Sequence, residues 1–465
     1  MTTVEDVQRL AADFESFHAR FADLFVRPET RHASRAYLRG LLSGAQRKNT
    51  WQMAEALGEH DPQALQRLLY QARWDADAAR DRLEDFVVER FGDPQGIGVL
   101  DESAVAKQGM HSVGVKRQWC GRLGKQENCQ VGVYLAYVSP RGHTFLDRRL
   151  YLPEDWCADE ERLEEAKVPV SVQFATKPEL GRQMLEHALG KGVPMRWVAG
   201  DEVYGNSPEL RDWIDAQGLS YVMAIAKNTQ VFASRATVEA PRQWTGGRPQ
   251  TKARLAPGGP PAQKAEEVVT SWPASAWARL SVGAGEKGPR LYDWACARVW
   301  ESRSHLPGRE MWLVARRSVS DPKEIAYYYS NAPRRTSLYE IARVAAARWP
   351  IEQCLREGKG DCGLDEYEVR YFHSWYRHVT LSIMAHAWLA SVHSQETMWM
   401  AGEKGIPRRG GAAGTRRGER AGGAPSTGDC PAVAASLSRA DLSLVHLAAL
   451  QATTGSPEPL STSAC

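Results

Sequence analysis

The sequence predicts an α/β protein in which helices flank a mixed sheet, with a helical N-terminal domain and a β-rich insertion. Three observations support this fold class. Apolar residues recur at helical spacing up to about residue 92. From Gly96 onward, short apolar and alternating runs typical of strands are separated by helical segments. Between residues 229 and 310, Pro, Gly, Ala and Arg become frequent and short strand-like pieces follow.

Composition excludes several classes of protein. The 465 residues suggest roughly two to four domains, and 43% hydrophobic with 25% charged residues is ordinary for a soluble globular chain. The net charge of +3 gives no global argument for a polyanionic partner. The eight cysteines form no CxxC pair, which excludes the usual zinc and redox spacings. Because the chain lacks a signal h-region and any apolar run of about 18 residues, we expect a cytoplasmic protein with no membrane partner.

The helical N-terminal region contains a candidate DNA-binding element. The segment NTWQMAEALGEHDPQALQRLLYQARWD predicts two helices joined by a tight turn at residues 58–61. A helix-turn-helix is one interpretation, favoured by the basic residues Arg47, Lys48, Arg67 and Arg73. A helical packing module without a nucleic-acid partner is the other interpretation, and the sequence leaves both open.

Two apolar runs in the sheet region end in acidic residues. GIGVLDES contains Asp101, MRWVAGDEVYG contains Asp201, and each run predicts a buried strand. We therefore expect both aspartates at the carboxyl ends of strands, where the sites of open α/β sheets gather. Two further strands, joined by a turn at residues 140–142, and a helix at TKPELGRQMLEHALGKG are predicted between them. SPELRDWIDAQG then predicts a helix with Ser207 as its N-cap, and SYVMAIAKN another strand.

The composition shift at residues 229–310 predicts an insertion looped out of the main sheet. MWLVARRS and EIAYYYSNAP then resume strand character and lead into a helix that starts with the capping pattern Ser337-x-x-Glu340. Pro350 disfavours a helix interior but suits the first turn of a new helix. Glu352 is therefore expected in the first turn of a short second helix.

These patterns divide the chain into five predicted units. The last is a basic, low-complexity tail that we expect to be disordered. The units are a helical domain at 1–92 that contains the candidate DNA-binding element, the first part of the core at 93–228, the insertion at 229–310, the second part of the core at 311–395, and the tail at 396–465.

Three well-separated carboxylates, Asp101, Asp201 and Glu352, are candidate metal ligands. Carboxylates at strand ends suit Mg²⁺, with Mn²⁺ as the alternative ion, and two bridged ions serve phosphodiester cleavage. Helical spacing also places three cations near the face of Glu352, where they would bind phosphates: Arg348, Arg356 and Lys359. The competing interpretations are helix N-caps or turn residues for the aspartates, a favourable helix-dipole position for Glu352, and surface ion pairs for the cations.

Several longer motifs together resemble one known family. They are GVLDESAVAKQGMHSVGVKRQWCGRLGKQENCQVGVYLAYVS, RRLYLPEDW, TKPEL, WVAGDEVYG, YYYSNAP, RWPIEQCLREGKGDCGLDEYEVR and WYRHVTLSIMAHAWL. Over residues 15 to 395 the chain resembles bacterial insertion-sequence transposases of the DDE class, which have a ribonuclease H-like core. A tyrosine usual in that family three residues before Arg348 is replaced here by Ala345.

The resemblance implies specific roles. Asp101, Asp201 and Glu352 would form the acidic triad, and Arg348 and Lys359 would contact DNA. Arg356 and Lys227 are further candidates for binding phosphates. The implied reaction is metal-dependent cleavage at the element ends and strand transfer into target DNA. The helical domain at 1–92 would bind the ends of the element. Double-stranded DNA is the implied partner, and joining two ends implies at least a homodimer.

The tail departs from the resemblance, because the sequence after Trp399 contains no aromatic residue. We expect a frameshifted or decayed C-terminus, and an inactive, transposase-derived DNA-binding protein therefore stays open as an alternative. A glycosidase with paired carboxylates is a third hypothesis. The cations around Glu352 disfavour it, because they would keep that carboxylate ionised.

Overall fold

The structure is a computed structural model that describes residues 4–121, 123–241, 252–285 and 288–403. The expected disorder and decay of the tail concern residues that lie mostly outside these ranges. Among the described helices, none combines the length and the apolar character that crossing a membrane requires.

The N-terminal region is helical, as predicted. Asn49 caps the third helix by accepting a hydrogen bond from the Gln52 amide at 2.9 Å, and Asp75 caps the fifth in the same way. The predicted pair of helices around residues 58–61 is present as the third and fourth. The five helices are α1 Val4–Ala19, α2 Pro28–Leu41, α3 Thr50–Ala56, α4 Gln63–Tyr70 and α5 Ala76–Phe91.

One of the four basic residues assigned to a helix-turn-helix is unavailable to a partner. Lys48 is only 5% exposed, and its ammonium group donates to the Ser43 carbonyl. Arg47, Arg67 and Arg73 are exposed. The sequence could not separate Lys48 from the others, because its burial depends on contacts with distant residues such as Glu366, whose carboxylate accepts from the Lys48 amide.

A mixed sheet follows, with the predicted hairpin at residues 140–142. Its first six strands are β1 Ile97–Ala106, β2 Lys116–Cys120, β3 Lys125–Ser139, β4 Gly142–Tyr151, β5 Trp197–Gly200 and β6 Ser220–Ile225. β3 pairs antiparallel with both β1 and β4, whereas β5 pairs parallel to β1 and β6 parallel to β5. The resulting order β4-β3-β1-β5-β6 is a ribonuclease H-like mixed sheet.

Four of the five helices between these strands begin at a side-chain cap, and Ser207 is one that the sequence predicts. Thr176 and Glu179 form a reciprocal capping box, and the Ser207 hydroxyl accepts from the Leu210 amide at 3.2 Å. α8 packs against β3 and β4, while α9 and α10 pack against β6. The helices are α6 Glu154–Cys157, α7 Glu160–Glu165, α8 Lys177–Gly190, α9 Glu202–Gly205 and α10 Pro208–Ala216.

The region after residue 229 is rich in strands, but the prediction that it loops out of the main sheet is wrong. β14 pairs with β6, and β13, β12, β7 and β10 follow in order, so that a single 12-stranded sheet forms. The added strands cover the edge of β6, which would otherwise present unpaired backbone groups. The elements are β7 Gln230–Phe232, β8 Val238–Glu239, β9 Arg254–Leu255, β10 Gln263–Lys264, α11 Ala265–Thr270, β11 Ala278–Gly285, β12 Gly288–Arg303, β13 Leu306–Ser318 and β14 Ile325–Ser330.

Three helices complete the described chain: α12 Leu338–Ala346, α13 Arg348–Cys362 and α14 Phe372–Glu403. Ser337 caps α12 by accepting from the Glu340 amide at 3.1 Å. Pro350 lies in the first turn of α13, as predicted, but the helix already begins at Arg348. Glu352 is therefore the fifth residue of α13, at the start of its second turn.

A continuous apolar core joins the N-terminal helices to the sheet. α14 packs between them: the Phe14 ring meets Trp388 edge-on, with ring centroids 5.3 Å apart. The Tyr37 hydroxyl lies 2.8 Å from Nδ1 of His378, which is also on α14. Because α14 packs on α13 as well, the core fixes α13 against the sheet.

Candidate active site

Strand register brings Asp101 and Asp201 together. In the parallel pairing of β1 with β5, Leu100 lies opposite Gly200, so the two aspartates are the next residue on each strand. Asp201 follows the end of β5, as predicted. The prediction that Asp101 ends its strand is wrong: β1 continues to Ala106, and Asp101 pairs with Tyr134 of β3. The antiparallel partner β3 extends β1 beyond the point where β5 stops.

A third carboxylate joins the two aspartates. Carboxylate oxygens of Asp101, Glu102 and Asp201 all lie within 4.8 Å of one another. Glu102 was not predicted, although it directly follows Asp101 in the string LDES. Successive side chains of a strand point to opposite faces of the sheet. The sequence therefore did not indicate that the carboxylates of Asp101 and Glu102 would lie close together.

Crowding of the carboxylates changes their protonation. Burial raises the pKa of Asp101 to about 7, repulsion from Asp201 acts in the same direction, and the Arg348 guanidinium opposes both. Burial and the neighbouring Glu102 also raise the pKa of Asp201. A bound divalent cation would stabilise the ionised forms of Asp101 and Asp201, and Glu102 offers a third carboxylate oxygen beside them. The donor set therefore fits an oxygen-preferring ion such as Mg²⁺.

Backbone hydrogen bonds fix both aspartates. Asp201 Oδ1 accepts from the Val203 amide at 2.9 Å and so caps α9, while Asp101 Oδ1 accepts from the Glu102 amide at 2.8 Å. The N-cap interpretation of Asp201 is therefore correct, and it is compatible with a ligand role because the bond occupies one oxygen of the carboxylate. The cap holds the side chain in one orientation.

Glu102 is held by two neighbours. Lys177 Nζ lies 2.6 Å from Glu102 Oε1, and the buried Tyr204 hydroxyl donates to Oε2 at 3.3 Å. Lys177 is the first residue of α8, and Tyr204 lies in α9, so the two helices fix this carboxylate from separate directions. Lys177 was not predicted, since a lysine at a helix start resembles any solvated charge.

Glu352 faces the same cleft, whose volume is about 440 Å³. It lies outside the close group formed by Asp101, Glu102 and Asp201; its side chain is 54% exposed, and Arg348 Nη2 lies 3.6 Å from its Oε1. The structure thus brings Glu352 to the cleft without packing it against the aspartates. The residues lining the cleft are Asp101, Glu102, Ser103, Ala104, Trp119, Gly121, Val131, Lys177, Asp201, Glu352, Leu355, Arg356 and Lys359.

The predicted cations divide into two sets. Arg356 and Lys359 line the cleft, one and two turns along α13 from Glu352, and Arg348 is close enough to Asp101 and Asp201 to oppose their pKa shifts. Lys227 lies elsewhere, with a 72% exposed side chain 3.9 Å from Glu266 of α11. Carboxylates beside several cations can bind a metal ion and phosphate oxygens together.

An exposed aromatic side chain stands at the rim of the cleft. Trp119 is 63% exposed and belongs to β2, a strand that was not predicted. β2 pairs with the start of β3, and Gly121, the residue directly after β2, also lines the cleft. Its short, charged sequence KRQWC carries no alternation from which a strand could be predicted.

Comparison with known proteins identifies the family. Residues 20–289 match the family described as DDE superfamily endonuclease, a range that includes Asp101 and Asp201 but ends before Glu352. A probable transposase for insertion sequence element IS701 from Microchaete diplosiphon is 28% identical over 194 residues, which cover 41% of this chain and 48% of that protein. The chain thus aligns with about half the length of this relative.

Among solved structures, a piggyBac transposase synaptic complex with hairpin DNA aligns with 84% of this chain and 74% of its own, at 10% identity and a TM-score of 0.38. The family match extends over more than half of the sequence. The chain belongs to the DDE superfamily endonuclease family.

Proposed function

We propose that this protein is a transposase that cleaves DNA at the ends of an insertion sequence and joins the freed ends to target DNA. The observation that carries the proposal is the convergence of Asp101, Glu102 and Asp201 in a cleft that also contains Glu352, Arg356 and Lys359. The name of the IS701 relative supports the same activity.

In this proposal Asp101 and Asp201 would hold a divalent cation, and Glu352 would supply a ligand to one of two ions. The ions are Mg²⁺, with Mn²⁺ as the alternative. Such ions polarise a phosphoryl oxygen and lower the pKa of water. Glu102 adds a third carboxylate at the same place, held by Lys177 and Tyr204.

The cations would bind the DNA backbone. Arg356 and Lys359 lie in the cleft on the helix that carries Glu352, so they would position phosphates next to the acidic group. Arg348 would stabilise negative charge near the aspartates. Lys227, outside the cleft, would contact more distant DNA. The reaction uses double-stranded DNA twice, first at the element end and then at the target, and bringing two ends together requires at least a homodimer.

A nicking assay tests the proposal. The substrate is a supercoiled plasmid that carries the gene with its native flanking DNA, and the products are mapped at nucleotide resolution. We expect Mg²⁺-dependent nicks at the borders of the element, and a loss of at least about 100-fold in the Asp201→Asn variant, because removing one charged group from such a site typically costs that much.

Two results would contradict the proposal. Equal nicking by the wild type and the Asp201→Asn variant would show that the cleft does not perform the cleavage. DNA binding at the borders by a folded wild-type protein, without nicking in either Mg²⁺ or Mn²⁺, would instead favour the inactive DNA-binding protein.

A further inference from the structure

A second group of metal-ligating side chains lies between α5 and α8, formed by residues other than those lining the cleft. Ligand atoms of Asp81, Glu84 and His187 all lie within 4.8 Å of one another. The two acids are three residues apart on α5, so they share one face of that helix, and the histidine comes from the last turn of α8. His187 Nε2 lies 3.0 Å from Asp81 Oδ1 and 3.2 Å from Glu84 Oε2.

Glu84 lacks the hydrogen bonds that a buried carboxylate needs. Its side chain is 0% exposed, and neither of its oxygens accepts a hydrogen bond from the described residues. The contact with His187 leaves Oε1 without a donor. Burying a carboxylate in this way is costly unless a cation or a set of donors compensates, and the orphaned side chain lies within the Asp81–His187 group.

The charged side chains around this group do not fully compensate its carboxylates. Arg80 is committed to Asp81, with Nε at 2.7 Å, and to Asp147, with Nη1 at 2.8 Å. Asp147 is itself fully buried, and its Oδ2 accepts no hydrogen bond from the described residues. Lys191 pairs with Asp85 at 2.9 Å. The charges around the group are five carboxylates and four cations, and none of these cations forms a hydrogen bond with Glu84. The carboxylates are those of Asp77, Asp81, Glu84, Asp85 and Asp147, and the cations are Arg80, Arg148, Arg149 and Lys191.

We propose that Asp81, Glu84 and His187 form a transition-metal site, with Zn²⁺ as the ion, that ties the N-terminal helix α5 to α8 of the sheet domain. One imidazole and two carboxylates suit Zn²⁺ better than Mg²⁺, which prefers oxygen ligands alone. His187 is 28% exposed and Asp81 is 40% exposed, so an ion can reach the site from solvent. The site is separate from the cleft and does not depend on the proposed DNA chemistry.

Zinc binding to the untagged, full-length protein tests this site. The parent protein is the Asp101→Asn/Asp201→Asn variant, which removes aspartate ligands of the cleft. Equilibrium dialysis with Zn²⁺ should find one tightly bound ion per chain. Adding His187→Gln should weaken its binding at least 10-fold, whereas adding His111→Gln should not, since His111 has a carboxylate partner at 3.0 Å but belongs to no such three-residue group among the described residues.

A second pair of variants tests the site in case the His187→Gln protein does not fold. Asp81→Asn removes the exposed carboxylate of the site, and Asp85→Asn on the same helix serves as its control. Zinc should also raise the thermal unfolding temperature of the parent and of Asp85→Asn, but not of Asp81→Asn, because an ion bound only to the folded state stabilises it. No zinc bound to the parent, or equal affinity in the folded His187→Gln or Asp81→Asn protein, would overturn the proposal.

Discussion

Replacing Glu352 with glutamine is expected to reduce DNA cleavage at least about 100-fold while leaving the stability of the fold within about 0.5 kcal/mol of the wild type. The activity should fall because glutamine cannot supply the negative charge of a metal ligand. Stability should be preserved because the side chain is 54% exposed, and its ion pair with Arg348, at 3.6 Å, is the weak kind found on surfaces. The measurements are the plasmid-nicking rate in Mg²⁺ and urea unfolding of the same preparations.

Glu186→Gln provides the matched control for this substitution. Glu186 is an exposed glutamate in the middle of α8 and does not line the cleft. Its variant should nick DNA at the wild-type rate. Wild-type nicking by Glu352→Gln would remove Glu352 from the site and leave Asp101, Glu102 and Asp201 as its acidic residues.

Replacing Gly205 with alanine is expected to destabilise the protein by about 3 kcal/mol and to impair cleavage as well. A Cβ at this buried position would lie 1.8 Å from the Ala224 carbonyl oxygen of β6, and backbone cannot move aside as a flexible side chain can. α9 would have to move away from β6. Because the amide of Gly205 donates to the Asp201 carbonyl at 2.8 Å, the displacement would move Asp201 as well. Urea unfolding measures the first effect, and Mg²⁺-dependent nicking the second.

Gly360→Ala is the control for this change. Gly360 lies within α13 and is exposed, and a methyl group added to its Cα would have no neighbouring heavy atom within 4 Å. Alanine should raise the free energy of unfolding by up to about 1 kcal/mol, since glycine is a poor helix former. A Gly205→Ala protein as stable as the wild type would show that α9 is not packed against β6 as described.

Local sequence patterns were sufficient for much of the fold. Strands, caps and the hairpin at residues 140–142 follow from alternation and from the positions of Ser, Thr and Gly. The pairing of distant strands could not be predicted in the same way. No local feature of β12 indicates that it pairs with β13 and extends the main sheet instead of belonging to a separate insertion. The five-unit division of the chain remains a prediction.

In the candidate site, too, local patterns predicted some residues, whereas residues placed by tertiary contacts were missed. Asp101 and Asp201 were predicted from the acidic ends of two apolar runs, and Glu352 from the cations near it. All three line one cleft, although β1 continues past Asp101. Glu102 and Lys177 were missed because their positions in the site depend on the packing of β1 against α8 and α9, which the sequence does not show. Lys227 was assigned with the cleft cations but lies outside it, since the helix spacing that places Arg356 and Lys359 says nothing about a residue after β6.

Crystals soaked in Mn²⁺ would test the acidic cleft most directly, because anomalous scattering locates the ion without relying on activity. We predict an anomalous peak within coordination distance of carboxylate oxygens of both Asp101 and Asp201, and its absence from crystals of the Asp201→Asn variant. Well-ordered, unoccupied carboxylates at this position in wild-type crystals at millimolar Mn²⁺, with or without bound DNA, would contradict the metal site and the cleavage chemistry built on it.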